Sequence, residues 1–418
     1  MRETSDQQLD ADSLIIPTIL RIILLLDTDV EIAQQLTLDL INTLKSTENR
    51  FFISIAQLYL GKTTYLEKDS ITAHNIYSNL RKRLNKLQAA PLLLLLNIQV
   101  GDLEFLVGRT KKALNIYKNV ISTATIASMP RMIVLGLRHL GDIYLLQLNL
   151  NVSQDLYEKA VIITKKIHDH SNRAYCLQQL GSIYLAQKNY VEAHKTFLES
   201  LELIEHFKIR KLNLTFELGQ LFLNLKDEIN IKMIYQLMRT NIQKIGTHNQ
   251  LIIFNAQKTL FEEKYDLARE LLEDMYNKKD KLSDTALINV ILLLFQLDLI
   301  NFNQDKDEII LEDAEAHLEE IYGHCKKLGY VGLTILVLVL KALWIYLYTK
   351  KSDLIFLNLL TNAWELAEAS DNDYIYYLAK RYERKLKRVS KRIDNSDLEE
   401  ILFFIQRMIH FYQNSKDI

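Results

Sequence analysis

The chain has 418 residues, 49% apolar and 25% charged, and its length suits two to four ordinary domains or one elongated repeat array. Its 11 glycines and 3 prolines fall far below the roughly 30 and roughly 20 that average usage would give, which excludes a fold rich in tight β-turns and favours an all-helical one. A formal net charge of −1 supplies no global field for nucleic acid or a membrane surface, and two cysteines, Cys176 and Cys325, exclude a disulfide framework and suit a reducing, cytoplasmic setting.

Met1 to Asp12 is polar and acidic, without the basic region and apolar run of a signal peptide. Apolar helical stretches follow at Leu14–Leu26 and Ile32–Leu44, so residues 1–50 read as an N-terminal helical cap with a polar start and no helix-turn-helix.

From residue 51 the chain repeats itself. NIQVGDLEF occupies 97–105, LRHLGDIYL 137–145, LQQLGSIYL 177–185 and TFELGQLFL 215–223, which places Gly101, Gly141, Gly181 and Gly219 at spacings of 40, 40 and 38. Twelve residues beyond the first three glycines stands a small residue (Ala113, Ser153, Ala193). Sixteen beyond each of the four stands an aromatic (Tyr117, Tyr157, Phe197, Tyr235), and nineteen beyond stands Val120, Ala160, Ser200 or Met238. Steps of four and three put these residues on one face of a second helix. Small residues at matching points of two helices let the backbones approach and leave a gap for the aromatic, so each unit reads as an antiparallel hairpin whose apolar face the next must cover. Upstream, Ala56 is the expected anchor, with Ala73, Tyr77 and Leu80 following after a five-residue insertion; downstream, Ala256 is followed by Ala268, Leu272 and Met275 at 12, 16 and 19.

Residues 51–283 therefore hold about five hairpins, and 284–370 two divergent ones, near 284–328 and 331–370, the first interrupted by a polar loop at Asn301–Asp307. Pro91 and Pro130 open two first helices, where a missing N–H is harmless. Val331–Tyr348 is almost wholly apolar, but Lys341 at its middle and its minimal length make it a buried repeat helix rather than a membrane span. Residues 371–418 read as capping helices, with a break near Asp394–Ser396.

This pattern resembles the tetratricopeptide-repeat family, and more closely its long-period members of the kinesin-light-chain and Leu-Gly-Asn kinds. The period is near 40 rather than 34, and the early aromatic and terminal proline of the usual repeat are missing. The resemblance implies a right-handed superhelical solenoid of antiparallel hairpins, with first helices lining a concave groove. Groove residues stand three before and one after each anchor: Ile98 and Asp102, Arg138 and Asp142, Gln178 and Ser182, Phe216 and Gln220, Ile253 and Gln257. The family's clamp for a C-terminal carboxylate uses Lys and Asn at these two points. Here no such pair occurs, and Asp102 and Asp142 would repel a carboxylate, so an internal peptide segment or a partner helix is the expected ligand.

No catalytic, metal or nucleotide motif stands out, so neither enzyme activity nor a cofactor is expected. Gly101 to Thr110 has the wrong glycine spacing for a phosphate loop, with Gly101 a repeat anchor and Gly108 a helix end. His168-Asp169-His170 reads as a turn between hairpins rather than a metal site, and His324-Cys325 as a helix flank. Lys380–Arg392 carries eight basic residues on nearly all sides of a helix, which fits a solvated cap better than a nucleic-acid site, and Asp307–Glu320 reads as an exposed acidic wall. Two functions follow: a scaffold that holds another protein or peptide in the groove, or a peptide-sensing module of a regulatory system whose output domain is on another chain. Self-association through the apolar ends is the other partnership the sequence allows.

Overall fold

The computed structural model describes residues 14–23, 25–26, 30–47, 49–66, 69–106, 109–204, 208–242, 248–305, 307–348, 353–370, 373–387 and 393–415. The polar start Met1–Asp12, Gly108 and residues 388–392 of the basic block lie outside them. Among the described residues there are twenty α-helices, one short 3-10 turn and no strand. They group into two units, divided along the chain between Leu140 and Gly141.

The first unit holds α1 (Leu14–Ile23), α2 (Val30–Thr47), α3 (Arg50–Leu66), α4 (Ser70–Leu87), α5 (Ala90–Leu106), α6 (Thr110–Ile126) and the first part of α7 (Pro130–Leu146). From α2 to α6 each helix packs on the next. Gly61 of α3 faces Tyr77 of α4, and Gly101 of α5 faces Tyr117 of α6, where a Cβ would stand 2.7 Å from the ring. Gly61 is thus the anchor of the first hairpin, in place of the expected Ala56. It lies 40 residues before Gly101, and Ala73, Tyr77 and Leu80 fall 12, 16 and 19 beyond it with no insertion. Ala56 is also buried, one turn earlier on the same helix, which is why it mimics an anchor.

The second unit continues with α8 (Leu150–Lys166), α9 (His170–Ala186), α10 (Tyr190–Leu203), α11 (Lys208–Leu225), α12 (Glu228–Ile242), α13 (His248–Phe261) and α14 (Tyr265–Asn277). After these come α15 (Asp284–Asp305), α16 (Glu308–Leu328), α17 (Val331–Tyr348), α18 (Asp353–Ala369), α19 (Asp373–Lys387) and α20 (Asn395–Ser415). Ser153, Tyr157, Ala160, Ala193, Phe197, Ser200, Ala268, Leu272 and Met275 are all buried, as the 12, 16, 19 spacing requires. In α12 the buried set shifts to Ile231, Ile234 and Met238, and the ring over Gly219 is Phe254 of α13 rather than Tyr235. Tyr235 stays half-buried with the Lys258 ammonium over its ring. The helix α15 runs to Asp305, so the polar loop expected from Asn301 is helical for most of its length.

Among the described residues, Gly329 after α16 (φ 71°) is a left-handed glycine, and the other left-handed turns do without one. Gln88 and Ser128 in the first unit, and Leu148, His168, Lys188, Lys226 and Glu263 in the second, take φ between 50° and 60°. In each case the next amide reaches back five residues, as Asn149 N does to Tyr144 O and Asn189 N to Tyr184 O, both at 2.8 Å. This closes the helix end as a Schellman turn. The following Asp or Asn often caps the next helix: Asp169 accepts from Asn172 N at 3.1 Å and Asp227 from Asn230 N at 3.1 Å. Left-handed backbone at a side-chain-bearing residue costs about 1 kcal/mol, which the closed turn offsets, and the chain's low glycine count follows.

Among the described residues two helices, α15 and α17, are long and apolar enough to cross a membrane, yet 78% and 72% of their apolar windows are buried within the fold. Lys341 of α17 pairs with Glu319 of α16.

Candidate functional site

In the first unit Ile98 is buried and Asp102 half-buried. Asp102 accepts from the Tyr117 hydroxyl and from His139 Nδ1 at 3.1 Å, and the His139 ring stacks on Tyr117. Burial pushes the Asp102 carboxyl up, but the opposing pull of His139, Tyr117 and Lys62 is stronger and holds it below the usual carboxylate range. Arg138 is buried as well.

In the second unit Asp142, Gln178, Ser182, Phe216 and Ile253 are buried, while Gln220 and Gln257 are half-buried and joined by a 2.6 Å hydrogen bond. Asp142 accepts from the Tyr157 hydroxyl and, at 2.8 Å, from Tyr175. Burial, reinforced by the Asp142 charge, keeps Tyr157 far above its ordinary value, so the pair is a phenol donating to a carboxylate. At three anchors the next residue matches the ring: Asp102 with Tyr117, Asp142 with Tyr157, and Ser182 where Phe197 has no hydroxyl; at Gly61, Lys62 follows and Tyr77 faces it. Ser182 instead donates to Glu217 Oε1 at 2.6 Å, and Phe216 meets Phe254 edge to face at 6.1 Å.

The first-helix side of the second unit is occupied. The C-terminal helix α20 packs on α17, α15 and α9. Leu398, Ile401, Ile405 and Met408 step by three and four residues along it and are buried, with Leu402 and Ile409 buried beside them. Arg407, also buried, places Nη1 and Nη2 at 3.2 and 3.1 Å from Glu217 Oε2 on α11, and Gln406 donates to Gln296 of α15 at 3.3 Å. A Cβ at Gly332 of α17 would stand 2.7 Å from Met408 Cε and 3.2 Å from the Leu146 carbonyl. A methyl group there would turn the Met408 side chain aside and press on the Leu146 carbonyl. Ser182, Glu217 and Arg407 thus form a buried polar chain from the predicted groove position on α9 to α20. Glu217 and Arg407 were not among the expected site residues. The one signal for them is a single charge set in an apolar run, in FELGQLFL and ILFFIQRMIHF.

The remaining sequence features resolve locally. His168 is a left-handed turn residue and Asp169 the N-cap of α9, and among the described residues no group of three or more His, Cys, Asp or Glu is placed to hold a metal. In the described part of the basic block, Lys380 lies 3.4 Å over the Trp364 ring and pairs with Glu383, Arg381 pairs with Glu400, and Lys385 with Asp397. Asp307 caps α16, whose acidic face is largely exposed, and His324 stands near Glu320 at 3.7 Å.

Comparison with known proteins agrees with the repeat. The family model described as tetratricopeptide repeat matches residues 133–206, a segment that begins within α7 and runs past α10. The matched segment carries tetratricopeptide repeats, and the described residues on either side of it are helices. No curated protein sequence matches it. Among solved structures it is similar to BtubC (BKLC) from P. vanneervenii, at 14% identity over 55% of this chain and 92% of that one, TM-score 0.43. It is similar to a Rap protein complexed with competence and sporulation factor, at 13% identity over 76% and 99%, TM-score 0.49. It is also similar to NprR in complex with its cognate peptide NprX, at 13% identity over 90% and 99%, TM-score 0.48.

Proposed function

We propose that this chain of tetratricopeptide-type hairpins is a protein–protein interaction scaffold that takes a peptide segment or helix of a partner on the first-helix face of its repeats. The observation that carries the reading is α20, a helix seated on α17, α15 and α9 by an apolar 3-4-3 stripe and one arginine. A face that accepts its own helix has the shape and chemistry to accept another. Of the expected groove residues in the second unit, Gln220 and Gln257 are the accessible pair, and their two side-chain amides, joined to each other by one hydrogen bond, keep further N–H and C=O capacity to offer a backbone or polar side chain. The buried ones, Asp142, Gln178, Ser182, Phe216 and Ile253, act by holding that face in place. Cys176 and Cys325 are buried free thiols, Cys325 pushed up to about 12 by burial, which fits a reducing compartment such as the cytoplasm.

The test is a photo-crosslinking amino acid placed at Gln220 or Gln257 in cells, against the same residue at Ile162 or Val191, which are exposed on second helices. Crosslinks to a defined protein from the first-helix positions are expected. Crosslinks from Ile162 or Val191 alone would show that binding, where it occurs, uses the outer wall, and would overturn the proposal.

A further inference from the structure

The occupied face identifies what it would bind. The helix α20 contributes Leu398, Ile401, Ile405 and Met408 at the spacing of a helix-in-groove ligand, and its one buried cation, Arg407, meets Glu217 with both terminal nitrogens. The receiving surface is not polar enough to stand open. Thirteen of the eighteen residues of α17 and fourteen of the twenty-two of α15 are buried, and these helices form part of the bed of α20. Departure of α20 into water would expose its apolar stripe and the apolar surface beneath it. It would also take from the Glu217 carboxylate the two Arg407 nitrogens that meet it. Replacement by a second helix of the same pattern exposes nothing and leaves Glu217 paired.

We propose that α20 is a resident stand-in for the ligand of this face, and that it is exchanged for a partner helix carrying aliphatic residues in the same 3-4-3 spacing with an arginine one position before the last. Arginine rather than lysine is required, because Glu217 Oε2 receives two nitrogens from one planar fork while Ser182 occupies Oε1. The chain is thus closed until such a helix competes. This inference rests on the reading of the first-helix face as a binding surface.

The probe is a fluorescein-labelled synthetic peptide of residues 393–415, titrated into the full chain by anisotropy. In a Gln296→Cys, Gln406→Cys chain, whose side-chain ends meet at 3.3 Å in the parent, a short bismaleimide ties α20 down. Bridging is expected to weaken peptide binding at least tenfold relative to the same chain unbridged. A peptide with Arg407→Glu is expected to bind at least tenfold more weakly than the parent peptide. Should the bridged chain fail to fold, a full chain with Arg407→Glu in its own α20 serves instead, and is expected to take up the parent peptide at least tenfold more tightly than the unmodified chain. Equal binding to bridged and unbridged chains, or no uptake by the Arg407→Glu chain at parental helix content by circular dichroism, would overturn the exchange. Photo-crosslinks from Gln220 and Gln257 to a partner, obtained together with either of those results, would leave the binding face standing and remove only the displacement of α20.

Discussion

Arg407 holds Glu217 across 190 residues of sequence, with Nη1 and Nη2 at 3.2 and 3.1 Å from Oε2. Both side chains are nearly sealed from solvent, at 5% and 0% exposure. Removing one partner strands the other charge in a low-dielectric site, so Glu217→Ala or Arg407→Ala is expected to cost about 3–5 kcal/mol. The double substitution Glu217→Leu, Arg407→Met is expected to recover most of that loss. Urea unfolding of the two single variants and the double variant measures the coupling, and additive losses would show that the pair holds nothing together.

A second pairing ties each anchor to its hairpin. Asp142 is the acceptor for the buried hydroxyls of Tyr157 and Tyr175. Asp142→Ala leaves both without that acceptor, with an expected loss of about 2–4 kcal/mol. Combining it with Tyr157→Phe removes one of the two stranded hydroxyls and is expected to recover about 1 kcal/mol in a double-mutant cycle.

The register of the first hairpin is open to a direct check. A methyl group at Gly61 would collide with the Tyr77 ring, whereas one at Gly323 in α16 meets nothing within 4 Å. Gly61→Ala is expected to destabilise by about 1–3 kcal/mol through overpacking. Gly323→Ala is expected to stabilise by up to about 1 kcal/mol, because alanine is the better helix former. Thermal melts that ranked the two the other way would put the anchor back at Ala56.

Acid sensitivity follows from Asp102. Its carboxyl is held below the ordinary range in the folded chain, mainly by His139 working against burial. A depressed acid contributes stability that is present above its unfolded value of about 4 and is lost as pH falls through the folded value. The stability difference between the parent and Asp102→Asn is therefore expected to be full near pH 7, about 1–2 kcal/mol, and to close below about pH 4. Denaturant midpoints of both chains at pH 7, 5 and 3.5 measure it, and a gap independent of pH would assign the effect to packing instead.

The hairpins were legible because close packing of two helices leaves a local and periodic mark. Glycine stands where an aromatic ring crosses the first helix, with a small residue at 12 and a buried one at 19 in these repeats. Gly101–Tyr117, Gly141–Tyr157 and Gly181–Phe197 each record one such crossing within a single repeat. At Gly219 the mark misled, since the ring over it comes from Phe254 of the following hairpin and the spacing within the repeat cannot report a residue outside it. The Asp after the anchor also read as a groove charge. Its partner hydroxyl lies 15 residues away on the other helix, and only the folded backbone brings the two together.

The amino-acid sequence by itself determined the helical hairpin and its period, since both follow from contacts between neighbours in the chain. What fills the first-helix face of the second unit was decided only by the tertiary structure. The apolar stripe of α20 reads the same whether it caps the last hairpin or lies across α17, α15 and α9. Which of these occurs depends on Glu217 and Gly332, contributed by α11 and α17, far from α20 in the chain. Such long-range contacts leave no period behind them, because each is made once.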